Sequence, residues 1–355
     1  MRAMRAETFT GYTGLKLAEL AKPTVAEGRV LIRVAAGGVT PLDHTILSGA
    51  YPRARAPLVL GNEGAGSVED PGHSRFALGA RVMFTGPYGV AEDGTWQEWI
   101  AARVEDLCLI PDQVDDVTAA GLPVAYLTAQ ITLTQAGFGP GKRVLAPAIG
   151  GSVGNAVIQL AKAQGAAQAI STTTSPVKAE QARALGYEEV IDLSRESLAA
   201  GVHRLTGGKG VDIVIESVGG ELTGQALGTL SLGGVLTTLG YSAGRKTTVD
   251  VTDLIWKRAR MAGFALAAQS AQVKVAAWQA ILPLLAKGAV EPDHRTHLPA
   301  RRGRRGLAAS DRRPPFRQGR SYRMRSIPID PHRCLPRSLL QGFGSDKKRR
   351  MAGGL

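Results

Sequence analysis

Between Arg29 and Phe84 apolar and polar positions alternate in short runs cut by Gly and Pro. "RVLIRVAAGGV" (Arg29–Val39) and "GARVMF" (Gly79–Phe84) carry the period of two expected of half-buried antiparallel strands joined by turns. "GTWQEWI" (Gly94–Ile100) predicts another such strand, and from Asp115 to Gln130 the period lengthens towards that of a helix. After Gly141 apolar strands alternate with helical runs. "RVLAPA" leads into "SVGNAVIQLAKAQGA", "QAIST" into "PVKAEQARALG", and "EVIDL" follows. Later come "VDIVIESVG", "ELTGQALGTL" and "GVLTTLGY". Such alternation predicts a parallel sheet covered on both faces. The expected fold class is α/β: a β-rich N-terminal domain, then a doubly wound domain with a parallel sheet. No internal repeat is visible.

The strand-to-helix junction from Arg143 to Ala166 carries the first chemistry. An apolar strand runs into Ala148-x-x-Gly151-x-x-Gly154, and the following helix puts Val157, Leu160 and Ala161 on one face. Such glycines allow a tight turn and a close helix, so that the N–H groups of Gly151, Ser152, Val153 and Gly154 can meet a pyrophosphate at the positive helix end. The strand–turn–helix context is what separates this motif from an ordinary Gly-rich turn. The next strand selects the cofactor. An NAD site usually places an acid about 20 residues on, to hold the ribose hydroxyls. Here "STTTSPVK" offers Thr174, Ser175 and Lys178, and no acid before Glu180. Hydroxyls with a cation suit a 2′-phosphate, which favours NADP(H). The same residues also serve as an N-cap (Ser175), a first-turn proline and a solvated lysine; both roles can hold at once.

Composition changes the picture in one place. The 355 residues suffice for two domains. Two cysteines, Cys108 and Cys334, are too few for a disulfide framework or a Cys-rich zinc site, so a reducing cytoplasm is the default. The N-terminus lacks the apolar core of a signal peptide. No apolar run reaches the roughly 20 residues of a membrane span. The net charge of +13 would ordinarily point to an anionic partner. Residues 293–355, however, hold 15 Arg and 2 Lys against 4 Asp, whereas residues 1–292 hold 26 basic and 26 acidic side chains. The body is neutral, and the whole excess belongs to the tail. A nucleic-acid-binding arm is the rival reading, since Lys/Arg clusters neutralise phosphates. The tail, though, has neither helical periodicity nor a recognisable binding module.

Taken together, "AAGGVTPLD", "GNEGAGSV", "LPVAYLTAQ", "GGSVGNAVIQLAKAQGA", "GVDIVIESVGG" and "GGVLTTLGY" resemble the medium-chain dehydrogenase/reductase superfamily, in its zinc-free NADPH:quinone oxidoreductase branch. The resemblance covers roughly residues 1–292. It implies a GroES-like catalytic domain over 1–122, a Rossmann domain over 123–265 and a helix within 266–292 returning towards the catalytic domain. It further implies hydride transfer from NADPH to a small-molecule quinone or enone, in a homodimer, with no part for a membrane or nucleic acid. Carried over residue by residue, it puts Thr128 near the nicotinamide. Gly240, Tyr241 and Ser242 come on the far side of the cofactor, with Thr40 and Tyr51 facing the substrate. The proton for the reduced acceptor is left open between Tyr51, Thr40 and water. Zinc-dependent relatives have a Cys where this chain has Thr40 and a His where it has Asn62. A hydroxyl and a carboxamide are poor ligands for an ion that prefers thiolate and imidazole, so no metal is expected. A cofactor-binding protein that has lost catalysis is a third reading.

The tail from Asp293 reads as a gene segment translated out of frame. After "GAVEP" the family should continue with a strand, an amphipathic helix and a final strand close to "GKVVL". Taking the last two bases of each codon with the first of the next, Phe316–Ser321 can spell "FGKVVL". Thr296–Ser310 can spell "RTFPLEEAAEALRHL", an amphipathic helix with an acidic first turn. On that basis the tail is expected to be disordered, and the chain as given poorly stable or inactive.

Overall fold

The computed structural model describes residues 1–291 and the backbone of 320–323. The expectation of a disordered tail over 293–355 otherwise falls outside the described residues. The N-terminal part holds two sheets. In the smaller, β1 (Arg2–Ala6) lies antiparallel between β2 (Leu15–Glu19) and β4 (Leu58–Val59). The larger is built on β3 (Arg29–Val39), which pairs along its length with β5 (Glu63–Asp70). β6 (Arg81–Thr85) and β8 (Leu107–Leu109) continue beyond β5. On its other edge β3 pairs over residues 29–33 with β7 (Trp99–Arg103) and over 36–39 with β15 (Arg320–Arg323). The alternation read from the sequence becomes a core of Val30, Ile32, Val34, Val68, Phe84 and Ile100. Full burial of each such side chain contributes about 1.5–3 kcal/mol.

Two expected elements differ from those observed. The strand predicted over 94–100 begins only at Trp99. Before it, Thr95 Oγ1 donates to the Glu63 carbonyl at 2.7 Å and Gln97 Nε2 to the Gly94 carbonyl at 2.7 Å, so these polar side chains satisfy a buried turn. The helix predicted over 115–130 is two helices, α2 (Asp116–Ala120) and α3 (Pro123–Gln135). Gly121 ends the first, and Pro123, without an N–H to donate, starts the second. A helix over Pro41–Leu47, α1, was not anticipated.

The doubly wound part follows. Six parallel strands lie in the order β11-β10-β9-β12-β13-β14, formed by Val190–Asp192, Gln168–Thr173, Arg143–Ala146, Val211–Glu216, Leu230–Thr238 and Arg260–Gly263. β9 starts the sheet at its centre, with the chain winding first one way and then the other. The crevice beyond the strands' C-terminal ends at that reversal is where such sheets take ligands. One face is covered by α3, α4 (Ser152–Ala163) and α9 (Ala271–Ala286). α6 (Leu198–Thr206) and α7 (Glu221–Leu227) pack on the other. α5 (Pro176–Ala184) follows β10, and α8 (Val251–Trp256) precedes β14. No described helix is long and apolar enough to cross a membrane.

Candidate active site

The loop after β9 is held from the neighbouring strand. Ala148 N–H donates to Thr172 Oγ1 at 3.1 Å, and Ile149 N–H to the Thr172 carbonyl at 2.9 Å. Ala148 takes φ of +64°, a left-handed conformation that costs a residue with a Cβ of order 1 kcal/mol and is kept where surrounding structure fixes it. Gly151 is the N-cap of α4. A Cβ on Gly154 would lie 2.4 Å from the Pro147 carbonyl oxygen and 2.6 Å from that of Ala148, so only glycine lets α4 press against the loop. The first-turn N–H groups, those of Ser152 and Val153 included, have no intrahelical acceptor and open at the C-terminal end of the sheet. That cradle fits a pyrophosphate.

At the end of β10, Thr173 is buried, Thr174 exposed and Lys178 half-buried. Ser175 is the N-cap of α5, but its hydroxyl makes no capping hydrogen bond. That hydroxyl is left for another partner. An acid on the neighbouring strand, Asp192 of β11, stands in register with Thr173. Its Oδ1 accepts from Ser194 Oγ at 2.7 Å and N–H at 3.0 Å, which holds the carboxyl below the usual range.

The opposite wall is knit from the loops after β12 and β13. Ala243 N–H and Ser242 Oγ both donate to the Val218 carbonyl, at 2.8 and 3.2 Å. A Cβ on Gly240 would fall 2.0 Å from the Ser217 carbonyl oxygen. Tyr241 is 46% exposed, with the Arg245 guanidinium 5.5 Å from its ring centre. The organiser is Glu216, which sequence reasoning missed. Fully buried at the end of β12, it accepts from Val218 and Gly219 N–H at 2.6 and 2.8 Å and from Thr223 and Thr238 hydroxyls at 2.8 and 3.2 Å. Its signal was an acid closing the apolar run Ile213–Ile215 just before "SVGG".

On the other side of the site, Thr40 caps α1 in a capping box with Asp43. Thr40 N–H and Oγ1 meet Asp43 Oδ2 at 2.7 and 2.9 Å, and Oγ1 also lies 3.2 Å from Asn62 Oδ1. The structure thus brings together Thr40 and Asn62, the two positions singled out for metal. Tyr51 is half-buried and packs against the apolar cluster of Met4, Ile46, Leu47 and Leu58. Thr128 lies buried within α3. Cys108 is buried, and burial pushes its thiol up to about 12, which leaves no thiolate for chemistry.

Burial keeps two carboxyls protonated further up in pH than usual. Burial pushes Asp43 up to about 6. Burial, with a smaller push from the Asp43 charge, takes Glu63 up to about 8. Between the ordinary carboxylate range and pH 8 the folded chain therefore holds protons that the unfolded chain releases. These two groups make stability fall as pH rises from about 5 through 8, then level off. Thermal melts across that range should show the decline, and Glu63→Gln should flatten most of it. A wild-type melting temperature that stays level or rises from pH 6 to 8 would contradict the assignment.

Comparison with known proteins follows the same division. Residues 26–112 match the alcohol dehydrogenase GroES-like domain family, and residues 152–287 the zinc-binding dehydrogenase family. A quinone oxidoreductase of Pseudomonas aeruginosa is 36% identical over 250 residues, 68% of this chain and 75% of that protein. A 2-haloacrylate reductase of a Burkholderia species is 33% identical over 234 residues, 64% and 69% of the two chains. Among solved structures, a mycobacterial protein complexed with NADPH superposes with a TM-score of 0.74 at 27% identity, covering 84% of this chain and 92% of the other.

Proposed function

This chain belongs to the medium-chain dehydrogenase/reductase superfamily, in its quinone oxidoreductase branch, and from that premise we propose an NADPH-dependent, zinc-independent reductase of quinones or other conjugated carbonyls. It is an oxidoreductase that uses a nicotinamide cofactor. The finer reading is carried by the hydrogen-bonded set Thr40–Asn62–Asp43. A hydroxyl and a carboxamide that satisfy one another leave no soft donor for zinc, whatever the family description of residues 152–287 says. The names of the two bacterial relatives, acting on a quinone and on a haloacrylate, point to acceptors with a conjugated double bond.

The cradle at Gly151–Gly154 fits the cofactor's pyrophosphate, and Thr174, Ser175 and Lys178 fit a 2′-phosphate. When bound, NADPH supplies the hydride. The chain's own work is to hold ring and acceptor in contact and to exclude water. Thr40 Oγ1 can pass its proton to the reduced acceptor if it takes one in turn from the Asp43 carboxyl, which burial keeps protonated further up in pH than usual and which solvent then reprotonates. This favours Thr40 over Tyr51, whose contacts are with an apolar cluster. The test is steady-state NADPH oxidation against a panel of quinones, enones and simple alcohols or ketones, with and without a chelator. Turnover of the first two classes, indifferent to chelation, is expected. Loss of activity on chelation, or preference for simple alcohols, would contradict the reading.

The same reading makes the enzyme cytoplasmic and a homodimer. β14 is an edge strand whose four residues are all exposed, and beside it lie Trp256 (76% exposed), Ile255 (63%) and Val251 (61%). A second copy of the chain would cover both the open edge and the apolar patch. Trp256→Glu should convert a dimer to a monomer in light scattering after size exclusion. A wild-type monomer at micromolar concentration would rule this out.

A further inference from the structure

Glu63 opens β5 in the middle of the N-terminal sheet, is 3% exposed, and so far has no part in binding or proton delivery. Its Oε2 accepts the Val124 N–H at 2.8 Å. Val124 lies in the first turn of α3, a helix whose N-cap, Leu122, supplies no side-chain cap and whose first residue, Pro123, has no N–H. A side chain 61 residues earlier therefore caps this helix. Glu63 reaches it by lying flat across β3: a Cβ on Gly38 would come within 2.4 Å of Glu63 Cγ and 2.6 Å of Oε1.

The neighbours of these atoms are the residues assigned to the reaction. Thr40 follows Gly38 by two positions, and Asn62 precedes Glu63. Thr128 stands four residues after Val124, on the same face of α3. That helix is buried along most of its length, so a shift at its first turn is carried rigidly to Thr128.

We propose that Glu63 is a positioning residue for hydride transfer, fixing the helix that carries Thr128 against the strand ends that carry Thr40 and Asn62. The proposal rests on the reading of Thr128 as a cofactor-side residue and of Thr40 as an acceptor-side residue. A misplacement of about 1 Å between reacting groups costs on the order of 100-fold in rate. The cofactor's phosphates are held at Gly151–Gly154, outside this contact. Loss of Glu63 should therefore fall on kcat rather than on the KM for NADPH.

The test uses the full chain with Glu63→Ala and Glu63→Gln, the latter keeping an acceptor oxygen for the Val124 N–H. Steady-state rates with NADPH and a quinone are paired with amide hydrogen exchange in the first turn of α3. Glu63→Ala should lower kcat at least 10-fold, leave the KM for NADPH within threefold and speed exchange at Val124. Glu63→Gln should recover most of both losses. If Glu63→Ala does not fold, Gly38→Ala, which displaces the Glu63 carboxyl without removing it, should show the same split between kcat and KM. An unchanged kcat, a loss carried by KM, or a glutamine variant as impaired as the alanine one would overturn the proposal. Unchanged exchange at Val124 overturns it whether or not the chain turns over. Absence of NADPH oxidation with any quinone, by the wild type and by the chain carrying the alternative-frame residues from Asp293 alike, instead defeats the reading on which it rests.

Discussion

A chain carrying the alternative-frame residues from Asp293 onward should melt at least about 5 °C above the chain as given. β3 presents its residues 36–39 to a strand on the edge that β7 does not reach, and Arg320–Arg323 take that place antiparallel. The alternative frame spells an apolar strand over 317–321, within three residues of the same place. It also supplies, over 296–310, a helix with an apolar face. Two details at the last described residues point the same way. Gln159 holds the backbone of Glu291 by two bonds, Nε2 to the carbonyl and N–H to Oε1, both 2.9 Å, so the chain leaves in a fixed direction. One turn earlier on α4, the buried Asn155 Nδ2 finds no acceptor among the described residues, a vacancy that costs about 1–3 kcal/mol unless filled. Burying even three apolar side chains of the restored helix and strand contributes about 5 kcal/mol. For a domain of about 200 residues each 1 kcal/mol shifts the midpoint by roughly 2–4 °C, so several degrees survive any offsetting cost. Sequencing the gene and comparing the melts of the two versions decides the matter. Equal melting temperatures, or a confirmed frame through Leu355 with a tail that binds nucleic acid at physiological salt, would refute it.

The second large effect is expected at Lys178. NADPH should bind at least about 10-fold more tightly than NADH, and Lys178→Ala should remove most of the difference. A charge-assisted bond from Lys178 to the 2′-phosphate is worth about 1.5–3 kcal/mol, or roughly 10- to 100-fold in affinity. Ser175 adds a hydroxyl not consumed by helix capping. The acid at the end of β11, Asp192, keeps Oδ1 on Ser194, while its Oδ2 is buried 3.5 Å from Arg195 Nε. Calorimetric titration with both cofactors reads this directly. Equal affinity for the two, or an alanine variant that binds NADPH as the wild type does, would remove the specificity assignment.

The parallel sheet was legible in the sequence because most of its strands hold short apolar runs alternating with helical stretches, and its phosphate loop sits between a strand and a helix. What escaped has physical reasons. α6 contains Gly201, pressed against Ile191, and glycine weakens the helical signal. α8 has six residues and β14 four, too short for a period to stand out. Glu216 and Glu63 read as ordinary acids, since their partners are backbone N–H groups that only the fold brings to them. The pairing of Thr40 with Asn62 lies between those cases. The residue types argued against zinc ligation on chemical grounds, but the hydrogen bond between them spans 22 positions and could not be read.

In the proposed function, hydride passes directly from NADPH to a conjugated acceptor without a metal. The most direct test is a reaction with NADPH deuterated at the transferring position of C4 and 2-cyclohexenone, followed by mass analysis of the product. One deuterium at the carbon β to the carbonyl, in equal yield with and without a chelator, is the expected result. A product free of deuterium, or a reaction abolished by the chelator, would contradict it.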